Sequence, residues 1–154
     1  MSKFFAMSLP PTTLPRSRLA WILMRVGLAG LIAIHGIARW ATDSVTPFGA
    51  WLTAGGWPLG PVLAWCITLF EIVGPILLML GKGTRVICVA SALLYLMGIA
   101  LVHAKAGWFV VGLGRNGAEY SVLLVLSLLL LAWQDCDPVS TSDSHFSNPE
   151  GSSS

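Results

Sequence analysis

Between Leu19 and Trp133 the chain is almost continuously apolar, yet each of its four apolar stretches is broken by one or two ionisable residues. A charge held in hydrocarbon costs about 3 kcal/mol or more unless it finds a partner or a water-filled cavity. Each such residue is therefore both a constraint on the fold and a candidate site. Composition agrees, with 55% hydrophobic and only 10% charged residues, where soluble domains carry about 25% charged. These values exclude an ordinary soluble domain and predict an integral membrane protein whose first partner is the lipid bilayer. The stretches lack the strict alternation of a transmembrane barrel strand, so helices are expected.

The four spans read Leu19–Trp40, Pro61–Leu80, Val86–Ala104 and Gly117–Trp133. At a helical rise of 1.5 Å they extend about 25 to 33 Å, enough to cross a hydrocarbon core of about 30 Å. The expected fold is an all-α membrane protein, a four-helix transmembrane bundle over residues 19–133. Residues 1–18 form an N-terminal segment with Pro10 and Pro11 and no apolar h-region, so the first span reads as an uncleaved anchor. Residues 134–154 turn to Ser, Asp, Thr and Pro and are too poor in apolar side chains to order.

Lys3, Arg16 and Arg18 precede the first span, and Lys82 and Arg85 sit in the turn between the second and third. Arg39, Lys105 and Arg115 fall on the other face. This bias predicts cytoplasmic termini. Tryptophans follow the same division, with Trp21 and Trp133 at one interface and Trp40, Trp51, Trp57 and Trp108 at the other. The outer connection 41–60 is rich in Gly, Pro and Trp and can lay an amphipathic turn of Phe48, Trp51 and Leu52 over the bundle. The second outer connection, 105–116, is too apolar for a solvated loop and too glycine-rich for a helix, which predicts a re-entrant or lid-like segment before the fourth span.

Counted from the cytoplasmic ends of their spans, Arg25 and Glu71 lie at levels about 4 to 5 Å apart, so an interhelical ion pair between them is expected; a proton-handling or ligand-orienting role for Glu71 is the alternative. Pro75 has no N–H to give the Glu71 carbonyl, which predicts a kink and a bare acceptor beside the carboxyl group. His35 and His103 fall near the outer ends of spans one and three, Arg39 one turn beyond His35, and Glu119 and Tyr120 at the start of span four. Two histidines, a carboxylate and a phenol suit protonation and deprotonation of a quinone, while Arg39, Arg115 and Asn116 suit an anionic or carbonyl group. Asn116 to Glu119 also reads as a capping box. No HxxxH or ExxH spacing suggests a metal, and Cys66, Cys88 and Cys136 form no CxxC pair. P-loops, nucleotide fingerprints and a GxSxG elbow are likewise missing, and no nucleic-acid partner is expected.

Taken together, RVGLAGLIAIHGIAR (Arg25 to Arg39), EIVGPILLMLGKGTR (Glu71 to Arg85), His103 ahead of Trp108 and Phe109, and GRNGAEY (Gly114 to Tyr120) resemble the DoxX family of small four-helix membrane proteins. The resemblance spans roughly Leu19 to Trp133 and departs from the common pattern at Pro75 and Arg39. It implies similarity to membrane subunits of thiosulfate:quinone oxidoreductase and related assemblies, hence a quinone-linked subunit rather than a self-sufficient enzyme. The expected location is the bacterial inner membrane. His35, Glu71 and His103 are the expected proton-transfer groups, and Arg39, Arg115, Asn116, Glu119 and Tyr120 the ligand-binding groups. No covalent cofactor is expected, the electron carrier being quinone or a protein partner subunit. Steps such as Gly27 and Gly30 permit close helix contact and hence homo-oligomers. A non-catalytic assembly factor or a small-molecule transporter built on the same polar cluster is the rival reading.

Overall fold

The computed structural model describes residues 16–110 and 117–135, and all regular structure among them is helical. Helix α1 (Arg16–Ala41) is followed by the short α2 (Val45–Ala54), then α3 (Gly60–Met79). Helix α4 (Thr84–Gly98), a π-helical turn (Ile99–His103) and α5 (Ala104–Ala106) form one rod from Thr84 to Ala106, and α6 (Glu119–Gln134) closes the bundle. Three of these are long and apolar enough to cross a membrane. The fourth, α6, has 16 residues and spans about 24 Å. The four expected spans are thus present, with ends moved by one to three residues. The chain is an integral membrane protein with a four-helix bundle.

Burial runs in stripes that follow helical periodicity. On α3, Gly60, Ala64, Thr68, Glu71, Gly74, Pro75 and Leu78 are buried, and on α1, Leu28, Ala29, Ile32 and Gly36. The small residues let the two backbones approach closely: a Cβ added at Gly36 would lie 2.9 Å from the Glu71 Cβ and 3.0 Å from its carbonyl carbon. Any larger side chain at Gly36 must push α1 off α3, so this contact sets the register of the pair. Leu28, Ala29, Ile32, Leu78, Cys88, Ala92, Leu128 and Leu131 form the core. Most other large apolar side chains, such as Leu31, Val62, Val86 and Leu123, are exposed, as suits helices whose outer faces meet lipid rather than water.

The expected amphipathic turn after the first span is a full helix. Val45 and Leu52 of α2 are buried with Ala64 of α3, with Phe48, Trp57 and Leu63 packed around them. A Cβ on Gly49 would fall 2.8 Å from the Pro61 Cα, so glycine allows α2 to lie directly on the start of α3. Helix α1 packs mainly on α3, and α4 mainly on α6, while contact between these two pairs is sparse. The bundle is therefore two tight halves with a cleft between them.

At the end of the bundle opposite α2, Gly81 and Gly83 adopt φ of +68° and +64° to turn the chain from α3 into α4. Only glycine takes such values without steric cost. At the α2 end, the carbonyls of Gly107 and Trp108 accept hydrogen bonds from the N–H groups of Ala118 and Glu119 (both 3.1 Å). The lid-like segment is thus stapled to the start of α6. Residues 111–116 fall outside the described residues, so the expected roles of Arg115 and Asn116 lie there too.

Candidate functional site

The only acidic residue buried in the described structure is Glu71, 2% exposed on the face of α3 that meets α1. Its partner is Arg39, whose Nη1 lies 2.6 Å from Glu71 Oε2 and donates also to Thr68 Oγ1 at 3.3 Å. Thr68 in turn donates to the Ala64 carbonyl at 2.7 Å. From α4, the Tyr95 hydroxyl donates to Glu71 Oε1 at 3.4 Å. The Arg39 guanidinium lies under the Phe48 ring, 4.7 Å from its centroid, a cation–π contact that lets α2 cover the charge. Both carboxylate oxygens are therefore engaged, as a charge at this depth requires.

The expected Arg25–Glu71 pair is corrected by this geometry. Glu71 is level with Gly36, which puts Arg25, eleven residues nearer the start of α1, about 16 Å away along the axis. Counting inward from the span ends misses this because α1 begins at Arg16 and projects beyond the end of α3. Side-chain direction adds to it. Helical side chains lean toward their own N-terminus, so on antiparallel α1 and α3 the Arg39 and Glu71 side chains lean toward each other. Arg25 leans away. Its Nη2 instead lies 3.6 Å from Asp135 Oδ1 at the end of α6, and its guanidinium stands over Gly81.

That second pair is partly exposed on both sides, where ion pairs contribute about 0 to 1 kcal/mol. Asp135→Asn is expected to lower stability by less than about 1 kcal/mol. Arg25→Leu and Glu71→Leu, about 16 Å apart, should add within about 0.5 kcal/mol in a double-mutant cycle in detergent. A larger coupling would restore the pairing that the register excludes.

The cleft between the two halves holds a cavity of about 910 Å³, near the upper end of the range for small-molecule sites. His35, Arg39, Glu71, Tyr95, His103 and Tyr120 all line it, so it gathers five of the expected site residues and adds Tyr95. His35 Nδ1 lies 2.8 Å from the Leu31 carbonyl. Since a carbonyl only accepts, Nδ1 carries the proton, and the lone pair of the neutral ring sits on Nε2. The ring packs edge-on against Tyr95, with centroids 5.8 Å apart. His103 belongs to the π-helical turn, a distortion that often occurs where a helix re-aims a side chain at a site.

Glu119 is placed differently from the expectation. It is the first residue of α6 after Ala118, rather than the third residue of a capping box. Its Oε1 accepts the Val110 N–H at 3.2 Å, so it helps to hold the lid-like segment and is not among the cavity-lining residues. Pro75 lies within an α3 that continues to Met79. Tyr95 and Thr68 were missed by sequence reasoning. A single phenol in the middle of an apolar span was the available signal, because a buried Tyr hydroxyl usually has a hydrogen-bond partner. Among the described residues no cluster of His, Cys, Asp and Glu suits a metal ion.

A family model described as DoxX matches residues 20–104, which include α1 from Ala20 onward, α2 to α4 and the π-helical turn. No curated protein and no solved structure matches the chain.

Proposed function

The chain belongs to the DoxX family, and on that premise we propose that it is the membrane subunit of a quinone-linked oxidoreductase system. The observation that carries this reading is a buried carboxylate hydrogen-bonded to a phenol, with two histidines lining the same cavity. Quinone chemistry needs proton donors and acceptors at the two ring oxygens, and these groups are of that kind. When bound, a quinone supplies the two-electron, two-proton couple, with electrons exchanged with a partner subunit. Tyr95 holds a proton between Glu71 and the cavity. His35, its Nδ1–H fixed on Leu31, leaves Nε2 as the nitrogen able to accept a proton. His103 is the second histidine for this work. Arg39 pairs with Glu71 and adds positive charge toward a carbonyl oxygen.

Quinone-dependent electron transfer in membranes containing the natural partners tests this reading. Deleting the chain should abolish the activity, and re-expressing it should restore it. Activity unchanged by deletion would leave the same cluster to an assembly factor or a small-molecule transporter.

The same proposal puts the chain in a bacterial inner membrane with both termini in the cytoplasm. Lys82 and Arg85 at the α3–α4 turn, and Arg16 and Arg18 at the start of α1, support it. A reporter fused after Ser144 should therefore be active only as a cytoplasmic enzyme. A periplasmic reporter signal would invert the assignment and put the Glu71 cavity on the cytoplasmic side.

A further inference from the structure

The cavity is much longer than its polar cluster needs. Along α1 its lining runs from Leu23 to Arg39, sixteen residues or about 24 Å. The charged and titratable groups crowd one end, and Leu23, Met24, Leu28, Leu123 and Leu124 make the rest apolar. Several lining side chains are also exposed, Leu31 at 53% and Leu123 at 62%, so the cleft opens sideways toward the bilayer. A small water-soluble anion needs neither this length nor this lining. One glycine lies in the wall of this apolar part, Gly27 on α1, and a Cβ added there meets nothing within 4 Å. It keeps open a width that a side chain would fill.

We propose that the site takes a single-tailed amphiphile loaded laterally from the membrane, its polar head at Arg39, Glu71 and Tyr95 and its tail along the trough past Gly27. Gly27 lies eight residues below His35, about 12 Å along α1, so the tail must run along the helices rather than out through the α2 end. The head chemistry rests on the quinone reading; the tail trough stands on the cavity shape and on Gly27. Tail width and length, rather than the ring alone, then set which lipids are selected.

The test is quenching of tryptophan fluorescence, Trp51 and Trp57 lining the cavity, in the detergent-solubilised full chain. Three probes are titrated: a benzoquinone ring with a decyl tail, the same ring without a tail, and a brominated single-chain fatty acid. Each buried methylene contributes about 0.8 kcal/mol, so even two of them in the trough make the tailed quinone about tenfold tighter than the bare ring. Gly27→Phe should remove that advantage while leaving the bare ring's affinity unchanged, which also reports intact folding. Gly30→Phe serves as the control, since Gly30 has equally open space and lies outside the cavity lining.

Equal affinity for the two quinones, or a tail advantage that survives Gly27→Phe, overturns the trough while the quinone reading stands. Binding of the fatty acid alone, with the same glycine sensitivity, upholds the trough and removes the quinone. If no probe binds, both fail.

Discussion

Arg39→Leu should destabilise the protein by about 3 to 5 kcal/mol, the usual cost of stripping one partner from a buried ion pair. The two halves of the pair are not equivalent. Glu71 is 3% exposed in its side chain and Arg39 20%, so the orphaned carboxylate has no route to water, whereas an orphaned Arg39 beside Phe48 can extend to the α2 end. Glu71→Leu is therefore expected to cost less than Arg39→Leu. The double variant should cost less than the sum of the singles, with a coupling of about 1 to 3 kcal/mol. Unfolding in mixed micelles, followed for all four proteins, measures this. Additive effects would mean that the 2.6 Å contact contributes nothing to the fold.

His35→Ala should separate function from folding. Its hydrogen bond to Leu31 stays within its own helix and the residue is exposed, so removal should change stability by less than about 1 kcal/mol. Loss of a positioned general acid or base typically lowers rates by a factor of about 100 to 10,000, and quinone-dependent activity should fall within that range while the variant accumulates normally. Full activity in a well-folded His35→Ala protein would take His35 out of the mechanism. Failure to accumulate would make it a structural residue instead.

The spans and the identity of the polar residues were legible in the sequence because hydrocarbon tolerates few charges: Glu71, His35 and Arg39 stand out against their surroundings. Register was not legible. It depends on the Gly36–Glu71 contact and on α1 extending past the end of α3, and neither follows from counting residues inward from hydrophobic boundaries. Counting alone paired Glu71 with Arg25, whereas the lean of side chains toward each helix's N-terminus favours Arg39. Tyr95 was overlooked because a tyrosine blends into an apolar span unless its hydroxyl is asked for a partner. Helix α2 was read as a turn because Gly49 and Pro47 suggest a loop; packing on α3 holds it helical, and Gly49 is what permits that packing. Glu119 carried a local capping pattern, but the N–H groups available to it include Val110, nine residues back, a contact outside the reach of a local motif.

Under the proposed function, the cavity lined by Glu71, Tyr95 and His35 holds a quinone. Extraction of the purified chain, followed by mass spectrometry of the lipid fraction, tests it most directly when wild type is compared with Tyr95→Phe and His35→Ala. Quinone close to one per chain is expected in wild type, with a marked loss in both variants at equal protein recovery. Quinone missing from wild type, or retained equally by all three proteins, would contradict it.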